Sequence, residues 1–121
     1  MSDLVRQIAE NLDRVRRRIA QSAAKSGRTP DQITLVAVTK YVGETQSRAA
    51  FEAGCQVLGE SRPQHLCPKA QALADLPVRW HMIGHLQRNK VRRVLPLLEM
   101  IHSADSPRLI QTIDKIAGEL A

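Results

Sequence analysis

Four short apolar runs, each followed by a helical stretch and each ending in polar residues, constrain this chain more than any other feature. They lie at 33–39, 56–59, 78–83 and 100–102. The helical stretches read from the sequence are 44–53, 63–74, 87–98 and 106–120. The unit length is roughly 22 to 25 residues, close to the shortest that lets a crossover helix return the chain to a parallel strand. Strand–helix alternation of this kind specifies a parallel sheet with right-handed crossovers.

Ahead of the first unit, Leu4, Ile8, Leu12, Val15 and Ile19 recur at spacings of four and three. They lay one apolar stripe along a helix over 3–26. Gly27 is its stop signal, and Thr29-Pro30-Asp31 a turn. Gly54 ends the helix of the first unit. Pro63 opens the next at the first helical position. Pro68 falls inside that helix and removes an internal hydrogen bond, so a kink or a late start is expected there. Pro96 breaks the third helix. The fourth presents Leu109, Ile110, Ile113, Ile116 and Leu120 on one side.

The fold class is therefore α/β, an N-terminal helix plus four β/α units in one domain over 1–121. No Gly-x-Gly-x-x-Gly follows the first strand and no Walker-type loop appears, so neither nucleotide fold is signalled. A closed (β/α)8 barrel needs eight units and about 250 residues. This chain of 121 residues supplies half of that count.

Composition narrows the class further. Hydrophobic residues are 43% and charged residues 25%, as in ordinary globular domains, while aromatics are only 2%. The core must be built from Leu, Val, Ile and Ala. No apolar run approaches the roughly 20 residues that cross a bilayer, and the N-terminus lacks a secretory apolar region. Two cysteines, Cys55 and Cys67, form neither a disulfide framework nor a zinc pattern, which points to a reducing cytoplasm. The net charge of +6 raises nucleic-acid binding. The basic clusters at Arg14, Arg16, Arg17 and Arg18, and at Arg88, Lys90, Arg92 and Arg93, carry no interleaved aromatics. Solvated helix faces are the better reading.

Residues with chemistry fall where strands end, the ligand-binding end of α/β folds. Leu35-Val36-Ala37-Val38-Thr39-Lys40 reads as a strand buried on both faces that stops at a lysine. A partly desolvated lysine at such a place forms Schiff bases; the bland alternative is a lysine that snorkels to solvent. Leu58-Gly59-Glu60-Ser61 puts Ser61 before a helix, as an anion contact or as an N-cap. Trp80-His81-Met82-Ile83-Gly84-His85 sets two histidines four apart, but on a strand-to-loop junction rather than a helix, which argues against a metal pair. Ser106 reads as the N-cap of the last helix, with Pro107 following.

These segments, with Glu52-Ala53-Gly54, Leu86-Gln87-Arg88-Asn89-Lys90 and His102-Ser103-Ala104-Asp105-Ser106, resemble the pyridoxal phosphate homeostasis (YggS/PROSC-type) family. Its members are single-domain relatives of the alanine racemase N-terminal barrel, the type III fold of pyridoxal phosphate proteins. The resemblance runs from about residue 4 to the end, and the Trp-His-x-Ile-Gly-His-Leu-Gln-x-Asn-Lys block is specific. It implies pyridoxal 5′-phosphate held as a Schiff base on Lys40, with Ser61, His81, Ile83 and Gly84 around it. It also implies a role in cofactor homeostasis rather than strong catalysis.

The departures are Ser61, where the family usually has Asn, Pro68, and the length. The family's phosphate-binding loops and the arginine facing the pyridine nitrogen lie in a second half with no counterpart in 1–121. The expectation is a truncated chain, a fragmentary gene product, or an open half-barrel that self-associates. Two other functions stay open. One is a fold-related amino-acid racemase whose second base is elsewhere; the alternation of strand side chains turns the only tyrosine, Tyr41, away from Lys40's face. The other is a basic nucleic-acid-associated module.

Overall fold

A computed structural model describes residues 2–121. Its elements are α1 (Asp3–Lys25), β1 (Ala37–Val38), α2 (Glu44–Glu52), β2 (Val57–Glu60), α3 (Pro63–Ala72), β3 (Arg79–Met82), α4 (Val91–Val94), β4 (Leu98–Ile101) and α5 (Pro107–Leu120). The sheet is parallel throughout, in the order β1-β2-β3-β4. Sequential order alone does not separate a barrel from a doubly wound sheet; the placement of the helices does. One core cluster joins Leu58, Trp80 and Met82, with Ala37, Leu98 and Ile101 packed against it, to residues of all five helices, among them Ile8, Ala50, Leu66, Leu73, Val91, Val94, Leu109 and Ile116. The helices therefore cover one face of the sheet, as in half of a (β/α)8 barrel, whereas a doubly wound sheet has both faces covered.

Alternation along the strands turns the residues between these core positions to the other, inner face. In the absence of helices there, that face is open: Val38 is 53% and Met100 51% exposed. The expectation of a first strand buried on both faces over 33–39 is corrected accordingly. Only Ala37 and Val38 pair, opposite Leu58 and Gly59. β1 is an edge strand with a single four-residue neighbour, so apolar residues upstream of Ala37 find no ladder to join.

Local signals hold elsewhere. Gly27 and Gly54 adopt φ of +74° and +115°, the left-handed region that ends a helix without a Cβ penalty. Arg16 Nη2 donates to the Gly54 carbonyl at 2.6 Å and so ties α1 to the end of α2. The Ser106 hydroxyl caps α5 by accepting from Leu109 N–H at 3.1 Å. Three expectations fail. α3 starts at Pro63 and runs unbroken through Pro68. The bond Pro68 forfeits is to the carbonyl of Gln64, an exposed first-turn residue that water can serve. Ser61 is not the N-cap of α3; Arg62 holds that position, without a side-chain cap. The helix read over 87–98 is the four-residue α4 flanked by 3-10 turns at Arg88–Lys90 and Leu95–Leu97.

Candidate functional site

The register fixes which strand residues stand side by side. Val38, Gly59, His81 and Met100 form one row across the inner face. Just beyond this row, past the C-terminal ends of the strands, come Lys40, Ser61, Ile83 and His102. The sequence-derived site residues therefore share one end of the sheet. Lys40 is half-buried in the turn that leaves β1. Ser61 and Gly84 touch: a Cβ on Gly84 would fall 2.3 Å from the Ser61 carbonyl oxygen, so only glycine lets the loops after β2 and β3 approach this closely. Gly59 has the same character, because a Cβ there would sit 2.9 Å from Val36 and 3.2 Å from Ile83. Ile83 and Val36 thereby close over Gly59 as an apolar patch on the inner face.

His81 is buried, and both its ring nitrogens are engaged. Nδ1 lies 2.9 Å from His102 Nε2, and Nε2 lies 2.9 Å from a Glu99 carboxylate oxygen. The other Glu99 oxygen accepts from Arg79 Nε at 2.7 Å. Glu99 reaches inward because of an irregularity in register: Trp80 pairs with Leu98 and His81 with Met100, which leaves Glu99 as the extra residue. Arg79 first, and His81 second, hold the Glu99 carboxyl below its ordinary range. If Glu99 accepts from His81 Nε2–H, His81 Nδ1 accepts from His102. His81 thus orients His102 and has no free nitrogen for a ligand. His85, its sequence partner four residues on, is exposed and 3.9 Å from Asp105. Among the described residues no cluster of three metal-ligating side chains occurs.

Lys40 and Tyr41 lie in the turn rather than on a strand, so alternation does not separate them. Lys40 Nζ stands 5.0 Å from the centroid of the Tyr41 ring, which is 89% exposed. The expectation that Tyr41 faces away from the lysine is corrected. No carboxylate stands within ion-pair distance of Lys40 among the described residues.

A second lysine was not singled out by sequence. Lys69 Nζ, on α3, donates to Glu60 Oε2 at 2.8 Å and to the Thr39 carbonyl at 2.6 Å. The Thr39 hydroxyl donates to the same Glu60 oxygen. Glu60 is fully buried on the helix side of the sheet. The available signal was an acid closing an apolar strand with a lysine nine residues on.

The comparisons can be set against this geometry. No protein-family model matches the chain. The pyridoxal phosphate homeostasis protein of Pseudomonas aeruginosa is 37% identical over 108 residues, 89% of this chain and 47% of that protein. That of Synechocystis is 42% identical over 92 residues, covering 75% of this chain and 42% of the relative. PipY of Synechococcus elongatus, solved with PLP bound, superposes with a TM-score of 0.72 at 39% identity, over 84% of this chain and 49% of its own. This chain belongs to the pyridoxal phosphate homeostasis protein family. It spans about half the length of the curated relatives it matches. An uncharacterised protein from Bifidobacterium adolescentis matches 99% of the chain with a TM-score of 0.86 at 32% identity, again over 53% of its own length. The half-barrel is therefore the arrangement this family adopts over the same stretch.

Proposed function

We propose that this chain takes part in pyridoxal 5′-phosphate homeostasis and holds that cofactor covalently through Lys40. The observation that carries the reading is the state of the two lysines beside Thr39, at the end of β1. Lys69 is committed to Glu60 and Thr39, whereas Lys40 is half-buried at an open face with no counter-ion. The bound group supplies an aldehyde carbon. Lys40 would hold the group at that carbon through its side-chain nitrogen, with one water released. The donor set fits such a group. Val36 and Ile83 offer an apolar floor for a flat ring; Ser61 and the oriented His102 offer polar contacts at its edges. Cys55 and Cys67 are both free, which is compatible with a role in a reducing compartment such as the cytoplasm. Among the described residues no helix is long and apolar enough to cross a membrane.

A racemase is the weaker reading. Two-base chemistry needs bases on opposite faces of the cofactor, and Tyr41 stands beside Lys40 rather than across from it. Nucleic-acid binding is weaker too, because basic side chains from both clusters are paired within the chain, as in Arg17 with Asp13 and Arg92 with Glu119.

Titration with pyridoxal phosphate tests the proposal. The expected result is a saturable absorbance band of a covalent adduct, with no racemisation of alanine and no salt-steep binding of RNA. A missing band overturns the reading. The open edges at β1 and β4 lead to a further expectation, that the 121-residue polypeptide self-associates. Light scattering showing a monodisperse monomer at all concentrations would refute it.

A further inference from the structure

We infer that Lys69 is a positioning residue for Lys40, acting through the peptide that joins Thr39 to it. Five polar contacts converge on Thr39. Its N–H donates to the Gly59 carbonyl at 3.0 Å, its hydroxyl donates to Glu60 and lies 3.3 Å from the Gly59 carbonyl, and its own carbonyl accepts from Lys69 Nζ at 2.6 Å. That carbonyl also accepts from Val42 N–H at 3.2 Å, closing the turn that contains Lys40. β1 supplies only two paired residues before this point, so the ladder alone fixes the exit of the strand poorly. The ammonium of Lys69 supplies the missing restraint, and Glu60 fixes that ammonium.

The ion pair is poorly built for stability. Glu60 is 0% exposed, yet its Oε1 has no hydrogen-bond partner among the described residues. A buried carboxylate with an unmet oxygen recovers little of its desolvation cost. What the arrangement does supply is geometry, because a charge-assisted bond to a backbone carbonyl one residue from the reactive lysine is short and directional. The inference rests on the assignment of Lys40 as the residue that holds the aldehyde.

The test compares adduct formation with pyridoxal phosphate in the full 121-residue chain and four variants. Lys40→Ala is the control for the assignment itself: undiminished adduct there refutes the role of Lys40 and leaves Lys69 without a function to position. Glu60→Met/Lys69→Met removes both charges together and keeps the site apolar. Its affinity for the aldehyde should fall about tenfold, the scale of one charge-assisted hydrogen bond, while its melting temperature stays near that of the parent. Amide exchange at Val42 should quicken, a change that a mere loss of global stability would not confine to this turn. Lys69→Gln answers should the double variant not fold. It keeps a donor for Glu60, and the same tenfold loss is expected. Lys69→Arg, which retains charge and donors, should hold affinity within about threefold. Parent-like affinity in either folded neutral variant overturns the inference.

Discussion

Borohydride reduction of the cofactor-loaded chain should fix a pyridoxyl group on Lys40, and Lys40→Ala should abolish the trapped adduct. The other lysines have different surroundings. Lys69 is 12% exposed and held by a carboxylate and a carbonyl, so freeing its amine means leaving Glu60 buried without a partner. Lys25 ends α1 and Lys115 lies exposed on α5, where water solvates the ammonium fully. Lys90 is the N-cap of α4 and lines a cavity with Ser61, Gly84 and Gln87. None of these three lies just after the C-terminal end of a strand. Peptide mapping by mass spectrometry reads the outcome directly. Equal labelling of Lys25, Lys69, Lys90 or Lys115 in Lys40→Ala would show that the open face confers no selectivity, and the assignment would fall.

Much of this was legible in the sequence because the signals are local. The stripe from Leu4 to Ile19, the stops at Gly27 and Gly54, the start at Pro63 and the cap at Ser106 each need only a few neighbouring residues, and each appears where periodicity and capping chemistry put it. The apolar runs marked the strands, and the polar residues after them marked the end of the sheet where Lys40, Ser61, Ile83 and Gly84 gather. What stayed hidden depends on partners distant in sequence. The length of β1 is set by how much of β2 lies opposite it. Glu99 looks like a surface acid until the irregularity between β3 and β4 turns it toward His81 and Arg79. Tyr41 could be judged only once the strand was seen to end before Lys40. Glu60 reads as part of a polar loop, and only the packing of α3 reveals that it is buried with Lys69.

That buried pair gives the second large effect. Lys69→Met should lower the unfolding free energy by about 3 kcal/mol, the lower end of the range for breaking a buried ion pair, since the lysine side chain keeps 12% exposure. For a domain of this size the shift in melting temperature is roughly 4 °C per kcal/mol, so a fall of about 12 °C is expected. The cause is the partner left behind. Without the ammonium, Glu60 Oε2 keeps only the Thr39 hydroxyl and Oε1 keeps nothing, in a side chain that is 0% exposed to bulk solvent. Replacing both members should therefore be milder than replacing one. Glu60→Met/Lys69→Met exchanges two desolvated charges for apolar groups of similar volume, and should return most of the lost stability. Thermal unfolding of the parent, the single and the double variant forms a cycle whose sign decides the matter. A double variant as unstable as Lys69→Met would mean that the pair contributes stability in its own right. A single variant as stable as the parent would mean that Glu60 finds water or another donor when the lysine is gone, and that the helix side of β2 is less tightly closed than its packing indicates.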